Sequence, residues 1–329
     1  MKILVTGSAG HLGEALMRTL RSSNDSVIGI DIKPSDFTDC VGSIGDRDFV
    51  SSQVKGCDAI IHTATLHKPH VGTHSRQDFI DTNVSGTLNL LEEAGQSGCS
   101  AFVYTSTTST FGDAMQPAKG EPAVWVTEKL RPKPKNIYGV TKTCAEELCE
   151  LFNRNTDMPC IVLKTSRFFP EADDAEVQRS SYDDANLKVN ELLNRRVDVA
   201  DIVTAHRLAI SKAGEIGFGR FIISSTPPFA QSDASLLSQD VSAVLRRYVP
   251  EFEEQFERRN WTMFPTLDRV YDNSLAREQL GWEPRFTFQA AINSLKADQD
   301  HRSELARAVG AKGYHSEKYK DGPYPVGSF

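Results

Sequence analysis

The chain has 329 residues, a formal net charge of −7 and an apolar content of 39%, which is ordinary for a packed globular protein. This length allows one large domain or two moderate ones. The acidic balance argues against nucleic acid as a partner, and no apolar run approaches the roughly 20 residues of a membrane helix. The six cysteines form no C-x-x-C pair, which favours reduced thiols over a disulfide framework. We therefore expect a cytoplasmic protein without membrane or nucleic-acid partners.

Short apolar runs alternate with helically spaced apolar residues through the first half of the chain. Strands are predicted at residues 2–6, 26–31, 41–44, 59–62, 101–105 and 160–164, and helices at residues 11–22, 79–94 and 136–153. Apolar strands separated by helices are typical of a parallel sheet covered on both faces. The predicted fold class is α/β, with a doubly wound parallel sheet of the Rossmann type.

The second half of the chain predicts a less regular, smaller domain. Its predicted elements are a polar loop at residues 167–186, helices at 201–213, 240–248 and 274–280, a strand at 220–224 and an extended tail from Gly310. We assign residues 1–165 to a Rossmann domain to which residues 197–225 return. Residues 166–196 and 226–329 are assigned to a C-terminal α/β substrate-binding domain.

Three glycines lie between the first predicted strand and the first predicted helix. Gly7 permits a tight turn, Gly10 lets the backbone approach a pyrophosphate, and Gly13 lets the helix pack close to the strand. The helix N-terminus offers amide donors to phosphates. Asp31 ends the second predicted strand 18 residues after Gly13, where a carboxylate accepts ribose hydroxyls and repels the 2′-phosphate of NADP. The pattern predicts a dinucleotide site and favours NAD over NADP.

Further motifs accompany the spacing Gly-x-x-Gly-x-x-Gly. They are Gly45-Asp46-Arg47, residues 60–64 (IIHTA), residues 82–87 (TNVSGT) and residues 276–284 (AREQLGWEP). Together they resemble the NAD-dependent epimerase/dehydratase family of the extended short-chain dehydrogenase/reductase superfamily, over nearly the whole chain. The resemblance adds these residues to the expected NAD site: His11, Leu12, Ile32, Asp46, Arg47, Thr63, Ala64, Thr65, Asn83, Thr105, Ser106, Tyr138, Lys142 and Ser166.

Tyr138 and Lys142 lie one helical turn apart, so their side chains share a helix face. A phenol is a poor base at neutral pH because its reference pKa is near 10. A nearby ammonium and a positive nicotinamide ring favour the phenolate, which then takes a proton from a substrate hydroxyl while hydride leaves the same carbon. The resemblance adds Thr107 as the catalytic hydroxyl. The predicted catalytic residues are therefore Thr107, Tyr138 and Lys142.

The two residues that directly follow Thr107 depart from the family pattern. Dehydratases of the family carry an Asp-Glu pair there, and decarboxylases keep a glutamate, whereas this chain has Thr108 and Ser109. No carboxylate is placed for elimination, so we disfavour both activities. What remains is hydride transfer at one carbon.

The segment that follows the last strand of the first half also departs from the family pattern. Only about 28 residues separate Pro170 from Asp198, whereas nucleotide-sugar epimerases commonly use a longer segment here to bind the nucleotide. Histidines 67, 70 and 74 suggest a metal site, but no Cys or carboxylate accompanies them, so we predict no metal. The expected substrate residues are His67, His70, Thr107, Thr108, Tyr138, Arg167, Phe169, Lys188 and Arg196.

Three functional hypotheses remain open at this point. The first is an NAD-dependent epimerase of a sugar or nucleotide sugar. The second is an NAD-dependent dehydrogenase or reductase of a small sugar, sugar acid or alcohol. The third, a non-catalytic NAD-sensing protein, is disfavoured by the intact catalytic set. The family resemblance further implies a homodimer that pairs the helices at residues 79–94 and 136–153.

Overall fold

A parallel sheet of seven strands organises residues 1–313, the part of the chain that the computed structural model describes. Its strands are β1 (Lys2–Thr6), β2 (Ser26–Asp31), β3 (Cys40–Val41), β4 (Ala59–His62), β5 (Ala101–Thr107), β7 (Cys160–Thr165) and β8 (Phe218–Ile223). Their spatial order is β3-β2-β1-β4-β5-β7-β8, with every pairing parallel. Strand order reverses beside β1, as the prediction of a doubly wound sheet requires.

Helices cover both faces of this sheet. They are α1 (His11–Arg21), α2 (Arg47–Val54), α3 (Arg76–Ile80), α4 (Gly86–Gln96), α5 (Ile137–Thr156), α8 (Val199–Ile216), α12 (Ser274–Leu280) and α14 (Glu304–Val309). Successive strand residues point to opposite faces. Ile3 and Val5 accordingly join the core formed with α1 and α8, whereas Leu4 joins the core formed with α4 and α5. Within residues 1–313, no helix is both long and apolar enough to cross a membrane.

A smaller unit packs beside the sheet around its own apolar cluster. Its elements are β6 (Val124–Val126), α6 (Glu176–Ser181), α7 (Asp184–Glu191), α9 (Ala234–Leu237), α10 (Val241–Tyr248), α11 (Phe252–Glu257), β9 (Arg269–Tyr271) and α13 (Phe288–Lys296). Strands β6 and β9 form a second, two-stranded parallel sheet. Phe252, Phe256 and Phe288 belong to the buried cluster of this unit. The predicted smaller α/β unit is therefore present, but it includes β6, which lies within residues 1–165 that the sequence assigned to the Rossmann domain.

Several predicted boundaries differ from the structure. The third strand covers Cys40–Val41 rather than residues 41–44, because the chain turns at residues 43–46 through the bond from the Asp46 amide to the Ser43 carbonyl. The helix predicted at residues 79–94 is α3 and α4 joined by one π-helical turn, Asp81–Ser85. The loop prediction for residues 167–186 is wrong where α6 and the start of α7 lie, since these short polar helices carry little apolar periodicity. Residues 314–329, including most of the predicted extended tail and the end of the second predicted domain, lie outside the described residues.

Trp282 joins the C-terminal part of the chain to the large sheet. Its fully buried side chain packs in the core of α1 and α8, and its Nε1 donates to the Asp201 carbonyl at 2.9 Å. The Asp201 carboxylate in turn accepts the amides of Arg285 and Phe286, each at 2.9 Å. Residues 276–282, which the sequence assigned to the second domain, therefore pack with the Rossmann core.

Replacing Trp282 with alanine should remove about 3–5 kcal/mol from the free energy of unfolding, because it leaves a large cavity in this core. Chemical denaturation monitored by circular dichroism measures the loss. Trp261→Ala is the matched control, since Trp261 is only partly buried against the smaller unit. An equal loss in the two variants would contradict the role given to Trp282.

Candidate active site

A cleft of about 910 Å³ opens where the strands of the large sheet end. The carboxyl ends of β1, β4, β5 and β7 meet at this edge, so the residues that follow each strand converge there. Most of the predicted site residues line this one cleft: Gly7, Gly10, His11, Leu12, Gly13, Asp31, Ile32, Thr63, Ala64, Thr65, His67, His70, Thr105, Ser106, Thr107, Thr108, Tyr138, Lys142, Ser166, Arg167 and Phe169.

The glycine turn is packed so tightly that side chains would not fit. Gly7 has a φ of +71°, a conformation that L side chains rarely adopt, and a Cβ there would lie 2.8 Å from the Ala64 amide nitrogen. A Cβ on Gly13 would lie 1.9 Å from the Gly7 carbonyl oxygen. Helix α1 therefore begins directly against the end of β1, and its N-terminal amides face the cleft.

The Asp31 carboxylate is held at the cleft by two backbone amides. Its Oδ2 accepts the Ala9 amide at 3.0 Å, and its Oδ1 accepts the Lys33 amide at 2.9 Å. The first bond ties the end of β2 to the glycine turn. The carboxylate is thus fixed beside the turn, as the sequence predicts for a residue that contacts a nucleotide ribose.

Tyr138 and Thr107 bring two hydroxyl groups together inside the cleft. Asn136 caps α5 by accepting the Gly139 amide at 3.2 Å, which fixes the turn that carries Tyr138. Burial raises the pKa of Tyr138 to about 12, and a hydrogen bond from Thr107 opposes part of that shift. The phenol is therefore a proton donor in the protein alone, and it needs added positive charge to become a base.

Lys142 supplies a cation whose charge is easily lost. Its Nζ donates to the Thr105 carbonyl at 2.6 Å and lies 4.1 Å from the centre of the Tyr104 ring. Burial lowers the pKa of Lys142 to about 7, although the Glu146 carboxylate opposes this shift. Glu146 itself accepts two bonds from the buried Lys164, at 2.6 and 2.7 Å. This ion pair lies beneath the catalytic residues and fixes the helix face that carries Lys142.

Five predicted site residues do not line the cleft. Asp46 caps α2 by accepting the Phe49 amide, and Arg47 pairs with Glu92 and Glu93. Asn83 bonds Leu66 and Thr141. Lys188 donates to the Pro170 carbonyl and to Asp184, and Arg196 pairs with the buried Glu191. These contacts hold the five side chains within the protein, and their expected contacts with a ligand stay predictions.

The histidine segment forms one wall of the cleft. The rings of His67 and His70 lie 4.8 Å apart, and the His67 ring lies 5.5 Å from that of Phe169. Within residues 1–313, no cluster of three or more His, Cys, Asp or Glu side chains could hold a metal ion. His11 also contacts the Phe169 ring, and Glu171 accepts from His11, with 2.7 Å between Oε1 and Nε2. Burial raises the pKa of Glu171, but His11 and nearby amides bring it down to about 2.

Further cleft residues escaped the sequence reading. The main ones are Met115, Glu171, Asp174, Arg269 and Tyr271. Arg269 and Tyr271 lie on β9, a strand of three residues whose partner β6 is some 140 positions earlier in the chain. No periodicity or motif marks such a short strand.

The comparisons place this geometry within a known family. The model of the NAD-dependent epimerase/dehydratase family matches residues 3–217. The chain therefore belongs to that family, and it is an enzyme of the extended short-chain dehydrogenase/reductase type, as the sequence motifs predict.

Relatives within the family have diverse names. The chain is 30% identical over 189 residues to an uncharacterized UDP-glucose epimerase, YtcB, of Bacillus subtilis, with coverage of 51% of this chain and 56% of that protein. It is 27% identical over 330 residues to a 3 beta-hydroxysteroid dehydrogenase/Delta 5-->4-isomerase of Mycobacterium tuberculosis, with 88% of each chain covered. The chain thus spans about half the length of the first relative and most of the second.

A solved structure shares the fold. A short-chain dehydrogenase/reductase superfamily protein from Agrobacterium tumefaciens with bound NAD gives a TM-score of 0.64 at 21% identity, over 91% of this chain and 98% of that one. This likeness confirms the Rossmann-type architecture.

The residues present fit a nicotinamide dinucleotide. The glycine turn has no room for side chains, and the α1 amides face the same cleft as the Asp31 carboxylate. Ser166, a predicted cofactor residue at the end of β7, lines the cleft with a buried hydroxyl that lacks a hydrogen-bond partner within residues 1–313. Such an orphaned group needs an acceptor or donor from a ligand.

Replacing Gly13 with alanine should weaken dinucleotide binding by at least about tenfold, because the new Cβ overlaps the Gly7 carbonyl and forces α1 away from the turn. Isothermal titration with NAD measures the change. Gly95→Ala is the control, since a Cβ there meets nothing within 4 Å. Unchanged affinity in the Gly13 variant would contradict the assignment of the turn.

Proposed function

We propose that this protein is an NAD-dependent epimerase of a sugar or nucleotide sugar. The observation that carries the proposal is the single cleft that holds both the glycine turn and the Thr107–Tyr138–Lys142 set. The two positions that follow Thr107 hold Thr108 and Ser109 rather than carboxylates. This argues against elimination of water or loss of carbon dioxide. Hydride chemistry at one carbon is the reaction left to these side chains.

The side chains divide the work in a defined way. A bound nicotinamide dinucleotide supplies the hydride acceptor and donor. Thr107 holds the reacting oxygen of the substrate, and the Tyr138 oxygen takes its proton and later returns it. Lys142, whose pKa burial lowers to about 7, favours the Tyr138 phenolate when protonated. Asp31, Ser166 and the glycine turn hold the cofactor.

A dehydrogenase or reductase of a small sugar, sugar acid or alcohol is the second candidate. The observation in its favour is the long match to the mycobacterial steroid dehydrogenase/isomerase, together with the short segment between Pro170 and Asp198. An epimerase returns the hydride to its substrate and needs no added NAD. Net NADH formation at 340 nm with a sugar substrate would favour the second candidate.

Pairing of two copies through α3, α4 and α5 is also a proposal. Ile80, Val140 and Leu151 are apolar side chains exposed on α3 and α5. Their exposure is consistent with a helix-to-helix interface. Sedimentation of the purified chain would show whether such a dimer forms.

Tyr138→Phe should lower kcat about 10²–10⁴-fold, because it removes the group that accepts and returns the proton. NAD affinity should stay within a fewfold of wild type, since the ring and its packing are kept. Tyr248→Phe is the control, because the Tyr248 hydroxyl contacts Asp233 outside the cleft. Full activity in the Tyr138 variant would refute the proposed chemistry. Absence of any turnover by the wild type would favour the non-catalytic, NAD-sensing role.

Asp31→Asn should shift the cofactor preference toward NADP. The wild-type carboxylate accepts ribose hydroxyls and repels a 2′-phosphate, so we expect the NAD-to-NADP affinity ratio to fall about tenfold or more. Binding of the two dinucleotides to the variant measures the ratio. Asp36→Asn removes the same charge from a residue outside the cleft. An equal change in both variants would indicate a general charge effect and contradict the role of Asp31.

A further inference from the structure

Arg269 is a charged cleft residue that neither the glycine turn nor the catalytic set explains. It lies on β9, opposite Val124 of β6, and its side chain is only 16% exposed. Its Nη1 donates to Asp268 at 2.6 Å. Its Nε is buried and has no acceptor within residues 1–313.

A buried guanidinium nitrogen without an acceptor is costly. Guanidinium groups stay charged at all ordinary pH values, so the nitrogen cannot remove the problem by losing its proton. Buried polar groups are nearly always hydrogen-bonded, and an exception in a cleft points to a missing ligand. An anionic oxygen is the strongest acceptor for such a group.

Arg269 lies in the substrate half of the cleft rather than beside the glycine turn. Tyr271, two residues further along β9, donates its hydroxyl to the Met115 sulfur at 3.3 Å. Met115 also lines the cleft and lies shortly after the 3₁₀ turn Thr108–Thr110, whose N-cap is Thr107. The glycine turn and Asp31 belong to β1 and β2, on the other side of the sheet from β7. A ligand group at Arg269 therefore belongs to the substrate.

The neighbouring guanidiniums are already matched by carboxylates. Arg167 pairs with Asp173 at 2.5 Å, and Arg195 pairs with Glu191 at 2.7 Å. Burial would raise the pKa of Glu191, but the three guanidiniums of Arg196, Arg195 and Arg167 lower it to about 2, so Glu191 stays ionised. These residues form one network of ion pairs. Arg269 differs because its partners, Asp268 and Tyr271, leave Nε without an acceptor.

We propose that Arg269 binds a carboxylate of the substrate, so that the preferred substrates are sugar acids, free or nucleotide-linked, rather than neutral sugars. The inference rests on the proposed hydride chemistry, which supplies the reason for a sugar to enter this cleft. It deepens that proposal by naming the charge of the substrate and the residue that recognises it. No bond to the carboxylate changes in the reaction, so Arg269 is a binding and specificity residue.

Two pairs of ligands test the proposal, each differing in a carboxylate against a hydroxymethyl group: glucuronate with glucose, and UDP-glucuronate with UDP-glucose. The first pair tests a free sugar acid and the second a nucleotide-linked one. Dissociation constants and kcat/KM are measured for each ligand with the NAD-loaded enzyme. We expect the wild type to prefer the acid of at least one pair by about tenfold or more, as loss of a charge-assisted hydrogen bond implies.

Arg269→Gln should abolish that preference by weakening the acid about tenfold while leaving the neutral partner within about threefold. Arg269→Lys keeps the charge and should retain part of the preference, which separates recognition from a folding defect. Arg246→Gln is the control, since Arg246 is exposed and pairs with Glu253 outside the cleft. Melting temperatures of all variants establish that they fold.

Each other outcome is decisive. An equal loss for UDP-glucose and UDP-glucuronate in Arg269→Gln would place the recognised anion on the diphosphate and overturn the proposal. Turnover of acid and neutral ligands at equal kcat/KM by the wild type would also overturn it, while leaving the proposed hydride chemistry intact. Acid-selective binding that depends on Arg269 but yields no turnover would support the carboxylate site and count against the proposed function.

Discussion

The close approach of α1 to β1 is the constraint on which the site depends. It exists because Gly13 has no side chain to meet the Gly7 carbonyl, and because Gly7 adopts a positive φ. The approach aims the α1 amides into the cleft and lets the Ala9 amide reach Asp31 at the end of β2. The turn and the Asp31 carboxylate, which would hold one part of a dinucleotide, depend on these few backbone positions. Strands β5 and β7 end further along the same edge of the sheet, where the catalytic residues line the cleft.

Burial shifts the pKa values of the two ionisable catalytic residues in opposite directions. Burial raises the pKa of Tyr138 to about 12 and lowers that of Lys142 to about 7, so each group is driven toward its neutral form. In its neutral form, Lys142 lends no positive charge to stabilise a Tyr138 phenolate. Glu146 and Lys164 form an ion pair in which both side chains are nearly inaccessible to solvent. This pair fixes the face of α5 that carries Lys142. We infer that charge brought by a bound cofactor completes the balance that these side chains leave open.

Local sequence carried the prediction of the Rossmann half, because turns, caps and apolar runs there lie close together in the chain. The strands containing Ile3 and Ile28 were predicted with their observed ends. The second unit resisted prediction, since β6 and β9 are three residues each and pair across a long separation. The same holds for the site: the Tyr138 motif is local, whereas Arg269 reaches the cleft through tertiary packing. Asp46 and Arg196 were chosen by resemblance, and no motif reveals their contacts with the Phe49 amide and with Glu191.

The central claim is that hydride leaves and returns at one carbon without elimination or exchange with water. The most direct measurement is mass spectrometry of the epimeric product formed in D₂O from a sugar substrate that the enzyme turns over. We predict that no carbon of the product gains deuterium, because a hydride carried by the nicotinamide does not exchange with water and only hydroxyl protons do. Deuterium bound to carbon in the product would contradict it, since it would show that a carbon-bound proton had been lost to solvent.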